Sequence, residues 1–338
     1  MGEFDLIARH FVRARGAQRA ELGIGDDCAL LAPSAPGSRL AISTDMLVEG
    51  THFIPEVDPQ ALGHKALAVN LSDLAAMGAR PLAYLLAIAL PRVDEVWLSR
   101  FASGLHALAD RFGLELVGGD TTRGPLTVAV TILGEVDPAA TLRRDRAQPG
   151  DDIWVSGTLG GAALALREQR AGGDSAPGRA AQRRLDWPEP RVALGLRLAE
   201  LAKDQFVHAA IDLSDGLAGD LGHILERSAG RLGATLWGGA LPLDPALQGL
   251  PWGDSLELAL RGGDDYELAF TAPARARATI AALSIAGVPV SRVGQIEATP
   301  GLRVRDQHGN VESIAVGGYD HFPAPAPAPA PAPGLGLR

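Results

Sequence analysis

Five short stretches put carboxylates beside glycines or hydroxyls, and through them this sequence could do chemistry. They are Gly23-Ile24-Gly25-Asp26-Asp27, Ile42-Ser43-Thr44-Asp45, Asp73 within an apolar run, Gly118-Gly119-Asp120-Thr121-Thr122 and Asp212-Leu213-Ser214-Asp215. Carboxylate and hydroxyl oxygens are hard ligands, so if these stretches converge they select Mg²⁺ or a similar ion. Zinc is disfavoured, because there is no His/Cys grouping and Cys28 is the single cysteine. Each Asp alone has a plainer use as a turn residue or helix N-cap, and Asp215 before Gly216-Leu217 is placed for a cap. Only the recurrence of the pattern points to a shared site. The sequence also echoes itself: Asn70-Leu71-Ser72-Asp73 resembles Asp212-Leu213-Ser214-Asp215, and Gly118-Gly119-Asp120 resembles Gly262-Gly263-Asp264, although such strings are too short to establish duplication.

The lysines narrow the phosphate chemistry that is possible. The chain holds two, Lys65 and Lys203, and neither belongs to a Gly-Lys-[Ser/Thr] loop, which excludes P-loop and protein-kinase designs. A nucleotide site here must neutralise phosphate with metals, arginines and backbone N–H groups. Gly157-Thr158-Leu159-Gly160-Gly161, between an expected strand and helix, has a geometry for an anion at a helix N-terminus, with a plain tight turn as the alternative. There is no Gly-x-Ser-x-Gly elbow and no histidine near Cys28, so nucleophilic hydrolase chemistry has no support.

Alternating β and α elements must position these residues. The expected strands are 39–44, 82–90 (as a buried strand), 114–117, 126–135, 153–156, 209–213 and 266–271; the expected helices are 60–77, 93–112, 161–169, 188–202 and 215–229. Residues 170–183 are expected to form a surface loop. A turn-rich stretch at Pro149 divides the chain into domains 1–148 and 149–322, followed by a Pro-Ala segment, 323–338, that offers no core residues. A content of 46% hydrophobic and 21% charged residues fits a globular enzyme, and the net charge of −9 argues against a nucleic-acid partner. No segment has the length of a membrane span, and the acidic N-terminus does not resemble a secretory signal, so a cytoplasmic location without a membrane partner is expected.

In their order and spacing these motifs resemble those of the thiamine-monophosphate kinase family of the aminoimidazole-ribonucleotide-synthetase-like superfamily. The resemblance extends over Ala68-Val69-Asn70-Leu71-Ser72-Asp73-Leu74-Ala75-Ala76-Met77-Gly78-Ala79, Gly262-Gly263-Asp264-Asp265-Tyr266-Glu267-Leu268 and Gly318-Tyr319-Asp320-His321-Phe322, and covers residues 2–322. It implies a two-domain α/β (α+β) fold whose N-terminal domains form a homodimer and whose C-terminal domain is α/β, with ATP between the two. It implies Mg²⁺ held by Asp27, Ser43, Thr44, Asp45, Asp73, Asp120, Asp212 and Asp215. ATP would contact Gly119, Asp120, Arg144 and Ser214, and thiamine monophosphate would contact His52, Asp264 and Tyr319. The family usually has Glu where this chain has Asp264. The implied reaction is direct in-line transfer from ATP to a phosphate acceptor, which is already ionised and requires no dedicated base. A selenophosphate synthetase-like member of the superfamily, or a non-catalytic nucleotide-binding protein that keeps the fold, are the alternative readings.

Overall fold

A computed structural model of the chain describes residues 20–22, 29–31, 37–171, 176–283 and 285–318. Expectations placed on Asp27, Cys28, Tyr319 and the Pro-Ala segment fall outside the described residues. Two sheets are formed. The first has the order β1-β2-β3-β6-β4-β5, with β1 at Ala20–Leu22, β2 at Ala29–Leu31, β3 at Arg39–Val48, β4 at Arg80–Leu90, β5 at Glu115–Arg123 and β6 at Thr127–Val136. Its strands pair antiparallel except for β4 with β5.

Helices α1, Pro59–Ala76, and α2, Glu95–Phe112, belong to this half. Each begins at an aspartate cap: Asp58 accepts from the N–H of Gln60, and Asp94 from those of Val96 and Trp97. Their backbones approach so closely that a Cβ on Gly63 would sit 2.0 Å from the Phe101 carbonyl oxygen, which leaves room only for glycine. In α1 every residue after the first two is buried except Asp73. This helix lies inside the molecule, because one apolar cluster runs from Ala41 and Leu47 through Leu67, Leu71 and Leu74 to Trp154 and Phe270 in the second half.

The second sheet has the order β13-β12-β9-β11-β7-β10-β8. Its strands are β7, Asp152–Ser156; β8, Ala210–Asp212; β9, Gly233–Trp237; β10, Leu268–Ala272; β11, Val290–Glu297; β12, Gly301–Arg305; and β13, Val311–Ile314. The accompanying helices are α3, Gly161–Ala171; α4, Ala176–Asp186; α5, Val192–Lys203; α6, Leu217–Arg227; α7, Trp252–Arg261; and α8, Arg277–Ala281. None of the described helices is long and apolar enough to cross a membrane.

Several boundaries differ from the sequence reading for physical reasons. Strand β4 is not buried throughout: Leu85 and Ala87 are exposed, because the helices cover one face of the sheet and leave the other open. Strand β5 runs through Gly118-Gly119-Asp120-Thr121-Thr122 rather than ending before it. The stretch expected as a loop contains helix α4, whose Ala, Arg and Gln residues are good helix formers. Helix α5 starts at Val192 and not Pro188, since Pro190 disfavours helical backbone at Glu189. Gly216, at φ 104°, delays α6 to Leu217, and positive φ at Asp264 and Tyr266 keeps that segment out of β10.

Candidate active site

Alternation along β3 separates its three candidate residues. Ser43 and Asp45 share the inward face with Ala41 and Leu47, while Thr44 and Met46 face the open side. The Ser43 hydroxyl is hydrogen-bonded to Asp73 Oδ2 on α1. Asn70, itself anchored by donating to the Ala66 carbonyl, accepts from the Asp45 N–H at 3.1 Å and pins β3 to the helix. Thr44 is directed elsewhere: its hydroxyl lies 3.1 Å from the Val130 carbonyl and 3.0 Å from Thr131 Oγ1. The structure therefore joins Ser43 to Asp73 and pins the Asp45 backbone to the same helix through Asn70, while the Thr44 side chain is bonded on the other face of the strand.

The second half meets this group across α1. Ser72 donates to Asp212 Oδ2 at 2.8 Å, and Lys65 Nζ donates to Asp264 Oδ2 at 3.2 Å. Backbone bonds fix the two loops that carry these acids to each other, from Asp264 N to the Ser214 carbonyl and from Tyr266 N to the Leu213 carbonyl, both at 2.8 Å. Asp215 caps no helix. Its N–H donates to Asp220, and the residue at the start of α6 is Gly216, which makes no side-chain cap. Arg144 has its backbone at the other end of these elements: the Arg143 carbonyl accepts from Ala210 N at the start of β8, and the Arg144 carbonyl accepts from Ser228 Oγ, past the end of α6, at 3.4 Å.

Tyr266 shows how the acids converge. Its hydroxyl donates to Asp264 Oδ1 at 2.9 Å. Burial, then the negative charges of Asp264 and Asp45, the hydrogen bond to Asp264 and the charge of Asp212, push the phenol well above its ordinary range. Carboxylates from β3, from β8 and from the loop before β10 thus act on one buried ring.

The donor chemistry fits magnesium. Among the described residues no three or more His, Cys, Asp or Glu side chains are grouped closely enough to form a metal cage. Magnesium seldom uses such a cage; it keeps waters and binds through one or two carboxylates together with substrate phosphates. Gly119 and Asp120 stand apart from the group. Asp120 pairs with Ala87, which pairs with Ala129 and so with Met46, placing it three strands, about 14 Å, from the β3 acids. Gly119 is required there, because at φ 147° a Cβ would lie 1.7 Å from the Leu86 carbonyl oxygen.

His52 occupies a turn after β3, where its Nδ1 accepts from the Val48 N–H at 3.0 Å. It lines a pocket with Phe53, Val57, Leu62, Lys65, Leu185 and Asp186. Lys65 connects this pocket to Asp264, and so brings two of the candidate substrate contacts to one place.

The glycine loop before α3 does hold a carboxyl group, but an internal one. Gly160 N donates to both oxygens of Asp265, at 3.0 and 3.2 Å, while the N–H groups of Gly157 and Leu159 are bonded to carbonyls. No donor is left for a ligand phosphate at those positions. Burial raises the Asp265 carboxyl well above the usual range. Glu267, fully buried, is held by Arg184, Arg191 and Ser156. In Asp264-Asp265-Tyr266-Glu267, alternate residues therefore face the site and the scaffold.

Sequence reasoning missed Lys65, Tyr266, Ser72 and Asn70 as parts of the site. For Lys65, Asn70 and Ser72 the available signal was polar residues recurring inside an otherwise apolar helix, where burial without a partner is costly; Tyr266, in the loop before β10, had no such signal.

Comparison with known proteins shows the family of the chain. Residues 25–136 match the family described as AIR synthase related protein, N-terminal domain, and residues 148–307 its C-terminal domain. Thiamine-monophosphate kinase of Salmonella typhimurium is 46% identical over 331 residues, 95% of this chain and 98% of that protein. The crystal structure of thiamine-monophosphate kinase from Stenotrophomonas maltophilia is 48% identical, with a TM-score of 0.75 over 89% of this chain and 96% of that one. AaThiL, solved in complex with AMPPCP and TMP, is 28% identical with a TM-score of 0.77, covering 95% of this chain and 97% of that one. With matches of this extent, the chain belongs to the thiamine-monophosphate kinase family of AIR synthase related proteins.

Proposed function

We propose that the chain transfers the γ-phosphoryl group of ATP to the phosphate of thiamine monophosphate, giving ADP and thiamine diphosphate. The observation that carries this reading is that acids from both halves of the chain meet at α1, where Ser43 is bonded to Asp73, Asn70 accepts from the Asp45 N–H, Ser72 holds Asp212 and Lys65 holds Asp264. The relatives named for this activity, and a neighbour solved with AMPPCP and TMP, support it.

Both substrates are anionic at their phosphates, so the acids need divalent ions between. Asp27, Ser43, Thr44, Asp45, Asp73, Asp212 and Asp215 would hold Mg²⁺, as would Asp120 at a separate position three strands away, and the metal when bound neutralises phosphate oxygens and stabilises the transferring group. Of these, Thr44 would take part through its backbone carbonyl, given where its hydroxyl is bonded. Gly119, Asp120, Arg144 and Ser214 contact the nucleotide, and His52, Asp264 and Tyr319 contact thiamine monophosphate. The pocket beside His52 receives the organic part of the acceptor and excludes water from it. No residue serves as general base, because the acceptor phosphate is already ionised; the chain's task is to hold donor and acceptor in line.

Domains 1–148 and 149–322 carry the two sides of this site. The open face of the first sheet, with Met46 57% and Leu85 38% exposed, suits a second copy of the chain. We assign the activity to the cytoplasm. Incubation of purified protein with ATP, Mg²⁺ and thiamine monophosphate, followed by chromatography, tests the reading: thiamine diphosphate is expected, and its absence refutes the assignment.

A further inference from the structure

Lys65 sits where a lysine is costly. Its side chain is 6% exposed within a helix that is apolar along most of its length, so its ammonium has given up hydration. Its partner is Asp264, at 3.2 Å. Asp264 holds a left-handed backbone, φ 60°, which non-glycine residues seldom adopt outside sites where the surrounding structure enforces it. It remains open on one side, its side chain 23% exposed. The scaffold pair Glu267–Arg191 has neither property: Glu267 is fully buried and has no positive φ. The Lys65–Asp264 pair also has a particular location, between the pocket lined by His52 and Leu62 and the carboxylates beside Tyr266.

A ligand with its rings in that pocket and its phosphate toward the carboxylates must cross this pair. Thiamine monophosphate carries a fixed positive charge on its thiazolium ring and a negative charge on its phosphate. We propose that Lys65 is a substrate-positioning residue, and that recognition proceeds by exchange of the ion pair: Lys65 turns to the phosphate of the substrate while Asp264 receives the thiazolium. The proposal rests on the reading of the chain as a kinase of thiamine monophosphate.

Exchange leaves each of the four charges with a partner. Free thiamine brings the cation alone, so it would draw Asp264 away and leave Lys65 unpaired in a buried position, which is unfavourable. The pair would therefore reject the unphosphorylated vitamin by a repulsive element and not only by a missing contact.

Titration calorimetry of each ligand alone, with Mg²⁺ present throughout, compares binding without turnover. Dissociation constants for thiamine monophosphate, thiamine and a non-hydrolysable ATP analogue are measured for wild type, Lys65→Met and Lys65→Arg. The preference for thiamine monophosphate over thiamine should shrink about thirtyfold or more in Lys65→Met, the low end for truncating a buried charged partner. Lys65→Arg should recover most of it, and the affinity for the ATP analogue should stay constant. An unchanged preference in Lys65→Met, or equal weakening of all three ligands, overturns the proposal. If Lys65→Met does not fold, Lys65→Met/Asp264→Asn, which removes both charges, takes its place: a narrowed preference supports the exchange and an unchanged one overturns it. Wild type that binds thiamine monophosphate but forms no thiamine diphosphate would refute the kinase reading, and the binding comparison would still judge the ion pair.

Discussion

The hydroxyl of Ser72 donates to Asp212 Oδ2 at 2.8 Å, with both residues buried, and so ties a helix of the first half to a strand end of the second. Asp212 is thereby oriented by a residue from the opposite side of the site. Ser72→Ala should cost about 1–3 kcal/mol of stability, because a buried charged acceptor loses its donor. Turnover should fall as well, since Asp212 is no longer held. Urea unfolding and steady-state kinetics on the same variant check both; unchanged values in each would show that the bond does not orient the acid.

Asp45→Asn and Asp120→Asn should each lower turnover by orders of magnitude with little change in unfolding. Neither residue caps a helix: Asp45 lies within β3 and Asp120 within β5. Loss of an ordinary cap would instead cost about 1 kcal/mol and spare the chemistry. Melting and turnover measured together separate the two roles. Near-normal turnover in Asp45→Asn would remove it from the metal-binding set.

Glu267→Ala should destabilise the fold far more, by about 3–5 kcal/mol, since Arg184 and Arg191 would lose the fully buried carboxylate between them. Chemical unfolding reads this directly. A loss below about 1 kcal/mol would mean that the arginines find other partners.

These contrasts show what the sequence could disclose. The motif Gly262-Gly263-Asp264-Asp265-Tyr266-Glu267-Leu268 marked the site, and among its acids the family resemblance, not the residue types, singled out Asp264. Only the backbone, with positive φ at Asp264 and Tyr266, turns Asp264 toward Lys65 and sends Asp265 to the Gly160 N–H. The main helices and strands of the first half were legible because periodicity and the Asp58 and Asp94 caps are local signals. The lengths of β3 and β5 were not, because pairing with β6 and β4 extends them through residues that look like turns. Thr44 illustrates the same limit: adjacency to Ser43 and Asp45 in sequence puts its side chain on the opposite face.

His64 supplies a test by pH. It is buried on α1 with its Nε2 2.8 Å from the Pro188 carbonyl oxygen. Burial lowers its pKa, with the bond to Pro188 acting in the opposite direction. A lowered folded pKa means that the unfolded chain takes up the proton first. The contribution to stability is therefore present above the unfolded value, about 6.5, and is lost as pH falls below it. Urea unfolding between about pH 7 and pH 5 should show a shallower decline for His64→Gln than for wild type. Parallel curves would mean that His64 does not titrate differently on folding.

The central claim is that acids from both halves of the chain serve phosphoryl transfer to a phosphate acceptor. Its most direct test follows ADP and thiamine diphosphate together in one reaction of purified protein with ATP, Mg²⁺ and thiamine monophosphate, with free thiamine as a parallel acceptor. The account predicts the two products in equal amounts, no formation without Mg²⁺, and little turnover of thiamine. ADP release without matching thiamine diphosphate, or equal turnover of free thiamine, would contradict it.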